Sequence, residues 1–238
     1  LRRAGLRYVS VGIESGSEAA LQRMVKETSV EINRRALQIL HDNDVAAQVE
    51  FIMFDPGSTM ADLQANLRFI EEQGLFGYFP PLIFGNLLLL PGTPAREQAE
   101  QRLGVGDGRQ WRHEMLPYQF LDDHVAQVDA LLRGFQRRLG DPWYELAFAL
   151  LDGIPALELA LAADGQTPAG QAELRRLAQS KLEFFALTRI PYSLLKQALD
   201  TLAAGQFVPA DALLAKAQAD LAAVKERLHL LRALPSAP

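Results

Sequence analysis

Two periodicities alternate along the first hundred residues. Arg7–Ile13 (RYVSVGI) is a β-branched run of strand length, and the segment after it, ESGSEAALQRM, turns helical with Ser17 as N-cap and Glu18 in the first turn. SVEINRRALQILHDNDV then sets Ile32, Ala36, Leu37, Ile39 and Leu40 on one helical face, with Ser29 as N-cap and Asn43 near the stop. AAQVEFIMF (Ala46–Phe54) reads as a second buried strand. DPGSTMADLQANLRFIEEQG reads as a turn and a helix that is capped near Ser58 or Thr59 and ends at Gly74. PLIFGNLLLL (Pro81–Leu90) supplies a third apolar run, closed by PGTP before the polar helix AREQAEQRLG. Successive strand–helix units imply parallel strands joined by right-handed crossovers, and so an α/β sheet or an arc of a barrel.

Beyond Gly104 the pattern changes. GVGDGRQWRHEMLPY has no clean period and reads as a loop, with one short extended piece at Met115–Tyr118. From Gln119 to Ala233 the pattern is helical, rich in Ala and Leu. Breaks are expected at Gly140–Pro142, Gly153–Pro155, Asp164–Pro168, Ile190–Pro191 and Gly205–Pro209. Leu213, Leu214, Leu221, Val224, Leu228 and Leu231 recur at near-heptad spacing in the last helix, which suits packing within the chain, with packing onto another chain as the alternative. The aromatic side chains of this half, Trp143, Tyr144, Phe148, Phe184, Phe185 and Tyr192, have spacings expected of a core. The fold class that follows is α/β, about three strand–helix units forming a sheet or an arc of a (β/α) barrel, then an all-α region over 119–238.

Composition narrows the chemistry. The 238 residues are 49% hydrophobic and carry 24 Lys+Arg against 29 Asp+Glu, a formal charge of −5, which argues against wrapping nucleic acid by bulk electrostatics. No run approaches the roughly 18 apolar residues of a membrane span, and no secretory signal pattern is present, so a cytoplasmic location is expected. The cysteine count is zero, which removes disulfides, thiolate metal sites and any cysteine-held iron–sulfur cluster from this chain. His41, His113, His124 and His229 lack metal-ligand spacing and read as surface or capping residues, so no metal site is assigned. The chain opens on LRRAG without an initiator Met and looks like the last turn of a helix ending at Gly5, as in the later part of a longer protein.

The most informative local pattern is GIESGS (Gly12–Ser17), where a strand ends in a carboxylate and runs through small residues into a helix. In parallel α/β folds ligands bind at the carboxyl ends of strands. Glu14 therefore either faces a ligand or caps the helix it precedes, and the residues alone favour neither. The backbone N–H groups near Ser15–Ser17 are candidates to receive an anion. FDPGST (Phe54–Thr59) and LLPGTP (Leu89–Pro94) put Pro-Gly turns at the same rim, and the turn geometry accounts for both without a site. A phosphate-binding role for these two helix starts is a minor alternative, since neither matches a phosphate-loop pattern.

Taken in order, GIESGS, LQRMVKETS, VEINRRALQILHDNDV, VEFIMFDPGSTMADLQANLRFI and PGTP resemble the second half of a radical S-adenosylmethionine (SAM) core, its fourth and fifth strand–helix units and the end of its sixth strand. The FIMFDP wording looks most like members that also carry an N-terminal cobalamin-binding domain. The resemblance covers residues 1–118. It implies that Glu14 contacts the ribose or aminoacyl part of SAM, that Lys26 pairs with the methionine carboxylate, that Ser15 and Ser17 are small polar rim positions, and that Ile52 packs near the adenine. It further implies that Leu88–Leu90 offer main-chain atoms to the adenine.

The same resemblance implies SAM, a 4Fe-4S cluster and cobalamin as cofactors of the complete protein. The chemistry would be reductive SAM cleavage or cobalamin-assisted methyl transfer on an unidentified substrate. Two departures bear on it: the family's C-x3-C-x2-C loop is absent, and Phe54 and Ser58 stand where the family's fifth-strand turn usually has Gly and Glu. The chain is thus expected to supply SAM-contacting rim residues without the cluster, and to be inactive alone. Its chief partner would be the missing N-terminal half. The competing expectation is a non-catalytic half-barrel plus helical interaction module, in which the open edge at Tyr8–Ile13 is covered by self-association or by the C-terminal helices.

Overall fold

Tyr8–Glu14 forms strand β1 and Ala46–Phe51 forms β2, paired in parallel with Tyr8 opposite Ala46 and Gly12 opposite Glu50. This is a computed structural model that describes residues 4–103, 119–164 and 168–233. Between the strands run α1 (Glu18–Arg23) and α2 (Val30–Asp42), and α3 (Met60–Glu72) follows β2. Each start is fixed by a side chain named in the sequence. Ser17 accepts from Ala20 N, Ser29 from Ile32 N, and Thr59 forms a reciprocal capping box with Asp62. Asn43 closes α2, and Gly74, at φ 66°, turns the chain after α3.

The third apolar run departs from expectation. Leu82–Phe84 is a single 3₁₀ turn, and beyond it the chain makes only an isolated parallel bridge between Phe54 and Asn86. The reason lies at Gly85. Its carbonyl accepts from Met53 N at 2.8 Å and Phe54 N at 3.1 Å, and a Cβ there would stand 2.0 Å from the Phe51 carbonyl oxygen. The backbones approach too closely for a side chain, and the run touches the end of β2 without lying alongside it. β2 correspondingly stops at Phe51 instead of reaching Phe54. The two-stranded sheet has the order β1-β2, and no other described strand pairs with β1.

The described residues form two compact units, one within residues 1–130 and 198–206, the other within residues 131–197 and 207–238. The first unit buries Ile13, Leu21, Leu63, Phe69, Ile70 and Ile83 completely or nearly so, with the Phe51 and Phe69 rings stacked at 6.2 Å. The helical face predicted for α2 is only partly used, because Ile32 is 58% and Ile39 51% exposed. α4 (Pro94–Leu103) follows the PGTP turn as expected. The extended piece expected at Met115–Tyr118 lies outside the described residues.

Three long helices follow, α5 (Asp123–Asp164), α6 (Pro168–Ala203) and α7 (Ala210–Ala233), and the second unit takes α5 from residue 131, α6 up to residue 197 and all of α7. Expected breaks at Gly140–Pro142, Gly153–Pro155 and Ile190–Pro191 do not occur; Pro142, Pro155 and Pro191 lie inside continuous helices. Each proline removes one helical hydrogen bond at a cost near 3 kcal/mol in an isolated helix. Burial offsets that cost at two of them, since Trp143, Ala147 and Leu150 follow Pro142 into the core and Tyr192, Leu194 and Leu195 follow Pro191. Trp143 Nε1 also donates to the Leu187 carbonyl at 2.8 Å, pinning α5 to α6. The breaks at 164–168 and 205–209 separate the helices as read. Of the aromatic positions expected in the core, Phe148 and Phe185 are instead 54% and 47% exposed. On α7, Leu213, Leu214, Leu221 and Val224 are buried.

Candidate functional site at the carboxyl end of β1

The carboxyl end of β1 is shaped by backbone that is unusual for its residues. Glu14 has φ 64°, a left-handed conformation that costs a non-glycine residue about 1–2 kcal/mol. The turn is held from both sides: Ser15 N donates to the Ile13 carbonyl at 2.7 Å, and Ile52 N donates to the Glu14 carbonyl at 2.6 Å. Beyond α1, Val25 at φ 56° reverses the chain, which brings Lys26 back over the strand end. Lys26 Nζ donates to Glu14 Oε1 at 2.8 Å. Two of the residues singled out in the sequence therefore meet, and Ile52 is joined to Glu14 through the backbone. The side chains are 18% exposed for Glu14 and 37% for Lys26. The pair is half-buried, and water reaches it mainly from the Lys26 side.

Ser15 and Ser17 take a different place. Both are buried, at 0% and 6% exposure. Ser15 Oγ donates to Asn66 Oδ1 at 2.7 Å and accepts from Ser17 N at 3.1 Å, while Ser17 Oγ donates to Asp62 and caps α1. The N–H groups considered as an anion cradle have acceptors within the chain: Ser15 N on Ile13, Gly16 N on Asn66 at 2.7 Å, Ser17 N on Ser15. Gly16 permits this packing because a Cβ would lie 2.3 Å from Phe69 Cβ. The start of α3, considered as a phosphate site, holds the chain's own carboxylate: Asp62 Oδ2 accepts from Thr59 N and Thr59 Oγ1, both at 2.9 Å.

Behind the rim lies a polar network that the sequence reading did not single out. Arg23 clasps Asp55 through Nε and Nη2 at 3.2 and 2.8 Å, and Nη2 also reaches Asp62 at 2.8 Å. Asp55 additionally accepts from Gly57 N and Ser58 Oγ. Burial pushes the Asp62 carboxyl up, but the hydrogen bonds from Ser17 and Thr59 and the Arg23 charge outweigh it and hold the group below its ordinary value. Burial likewise opposes the Arg23 charge, and Asp55 and Asp62 outweigh it, so the guanidinium is held above its ordinary value. Asn33 completes the support by donating to the Ile13 carbonyl at 2.7 Å. The T-x-x-D spacing of Thr59 and Asp62 was the one visible signal for this network; nothing local in the sequence marks Arg23 or Asn66.

At the remaining predicted positions, Ile52 is half-buried, Leu89 is fully buried, and Leu88 and Leu90 are exposed. Leu87 N donates to the Phe54 carbonyl at 2.7 Å, which docks this segment beside β2. The PGTP turn is closed by Thr93, whose hydroxyl donates to the Leu90 carbonyl at 2.8 Å. His41, His124 and His229 are exposed, as expected, and His113 lies outside the described residues. Among the described residues no group of three or more His, Cys, Asp or Glu is placed to hold a metal ion, and no helix is long and apolar enough to cross a membrane.

No family model matches the chain. Over 71 residues it is 34% identical to the anaerobic magnesium-protoporphyrin IX monomethyl ester cyclase of Rubrivivax gelatinosus, covering 30% of this chain and 13% of that protein. Over 101 residues it is 29% identical to the tRNA-2-methylthio-N(6)-dimethylallyladenosine synthase of Anaplasma phagocytophilum, covering 40% of this chain and 21% of that one. The structure of the cobalamin-dependent S-adenosylmethionine radical enzyme OxsB with aqua-cobalamin bound superposes with a TM-score of 0.59 at 15% identity, covering 95% of this chain and 37% of that chain. A second OxsB structure, with aqua-cobalamin and S-adenosylmethionine bound, gives 0.54 at 18% identity over the same shares. At these identities the structural likeness concerns the fold. The chain spans about a fifth or less of the curated relatives' length. The chain is thus similar in fold to part of a cobalamin-dependent S-adenosylmethionine radical enzyme, in keeping with the resemblance read from GIESGS onward.

Proposed function

We propose that this chain is the C-terminal portion of a cytoplasmic, cobalamin-type radical SAM enzyme, in which residues 1–118 form the second half of a partial barrel and residues 119–238 a helical domain. The observation that carries the reading is the 2.8 Å pair of Glu14 and Lys26 at the carboxyl end of β1, where the strained turn holds an anion and a cation side by side. SAM ends in an α-amino acid zwitterion. Its ammonium suits the Glu14 carboxylate, which can accept several hydrogen bonds, and its carboxylate suits the Lys26 ammonium. Ile52, tied to the Glu14 carbonyl, offers an apolar surface to the adenine. Ser15 and Ser17 act from beneath, fixing the loop through Asn66 and Asp62.

The cofactors divide by fit. The Glu14–Lys26 rim suits SAM, which in the complete enzyme supplies a 5′-deoxyadenosyl radical or a methyl group. A 4Fe-4S cluster does not fit this chain, because its zero cysteines provide no thiolate ligand. In this reading the cluster and cobalamin belong to the N-terminal part, whose next parallel strand covers the free edge of β1. Equilibrium dialysis of SAM against the complete polypeptide tests the assignment. Replacing Glu14 by Ala, or Lys26 by Ala, removes one charge-assisted contact each and weakens binding about tenfold. Unchanged affinity in both variants contradicts it.

A further inference from the structure

A cavity lies far along the sequence from this rim, in the second unit. About 730 Å³ opens between α5, α6 and α7, within the range of small-molecule sites. Its long wall is a stripe on α5 made by Leu146, Ala149, Leu150, Gly153, Ile154 and Leu157, spaced one turn apart over about 16 Å of helix. Gly153 widens it: a Cβ at that position meets nothing within 4 Å. The facing helices contribute a different chemistry. Arg176 and Ser180 of α6 and Lys225 and His229 of α7 line the opposite side, with Glu226 as the one acid among the described residues. Arg176 is tied to Glu173 at 2.9 Å, whereas Lys225 and His229, one turn apart, have no ion-pair partner among the described residues. An elongated apolar trough with basic groups on one lip matches an extended hydrocarbon that carries a single anion.

We propose that this groove binds a long-chain monocarboxylate, its tail along the α5 stripe and its carboxylate at Lys225 and His229. The test uses the full chain and dodecanoate below its micelle concentration, with titration calorimetry as the readout. One dodecanoate should bind per chain, and dodecyltrimethylammonium, of equal tail length and opposite charge, should bind at least about tenfold more weakly. Gly153→Phe fills the trough and should weaken dodecanoate at least about tenfold while helicity by circular dichroism is retained. Lys225→Glu, a surface change that spares folding, should weaken dodecanoate but leave dodecanol unaffected. Absence of saturable binding, equal affinity for the two charges, or wild-type affinity in Lys225→Glu overturns the proposal. So does a dimer in light scattering that Lys225→Glu or Gly153→Phe dissociates, since the groove then belongs to a second copy.

Discussion

The two units of this chain bury different things. In the first, Ser15, Ser17, Asn33, Asp55, Ser58, Asp62 and Asn66 are all buried beside a two-stranded sheet, and all are hydrogen-bonded. In the second, the described core is Trp143, Leu150, Leu187, Leu195, Leu221 and Val224, and the buried polar side chains are Glu183 and Thr188. Burying a polar group is unfavourable unless its partners are well placed, so a network of this kind tolerates one arrangement where an apolar core tolerates several. The first unit thereby holds a strained turn at Glu14 in register with Lys26. The second carries three prolines within its helices, and after two of them, Pro142 and Pro191, apolar side chains pack into its core.

The sharpest way to break this contrast is to attack each unit at its anchor. Trp143→Ala empties a fully buried site and frees the Leu187 carbonyl, and should destabilise the second unit by about 3–5 kcal/mol. Hydrogen exchange resolved by segment should show the loss in α5–α7 with β1 and β2 still protected. Asp62→Ala leaves Arg23 and Ser17 without a shared acceptor. Arg23 keeps some access to water, so the expected cost is about 2–3 kcal/mol, confined in exchange to residues 14–24 and 55–72. Loss spread evenly over both units in either variant would mean that the distinction between them has no energetic content.

Acid separates the units more gently. Because the folded Asp62 carboxyl is held below its ordinary value, its stabilisation is complete above the unfolded value near 4 and is lost as pH falls through the folded one. Exchange between pH 6 and about 2.5 should therefore open the 55–62 turn before α6, and Asp62→Asn should abolish that pH dependence. The smallest effect is expected from Ser29→Ala, which removes the α2 cap for about 1 kcal/mol and should leave SAM affinity unchanged, because Ser29 serves the helix and not the rim.

Much of the first unit was legible because its signals are local. The caps Ser17, Ser29 and Thr59, the stop at Asn43 and the two parallel strands follow from spacing and from the hydrogen-bonding reach of short side chains. Glu14 and Lys26 were named and the chain brings them together. What escaped the sequence depends on contacts across many residues: Arg23 reaching Asp55 and Asp62, Asn66 serving Ser15 and Gly16, and the close approach of Gly85 to Phe51 that keeps Pro81–Leu90 from lying as a strand. The prolines of α5 and α6 were misread for the opposite reason. Their local signal is strong, and at Pro142 and Pro191 the burial of the residues after them overrides it. Phe148 and Phe185 show that helical spacing alone does not decide which aromatic faces inward.

The central claim, that this chain is part of a radical SAM enzyme, is tested most directly by sequencing the DNA immediately upstream of the Leu1 codon. The account predicts an in-frame extension that carries three cysteines spaced C-x3-C-x2-C, the thiolates this chain lacks. A start codon directly before Leu1 would contradict it, leaving Glu14 and Lys26 as a rim without a cluster to serve.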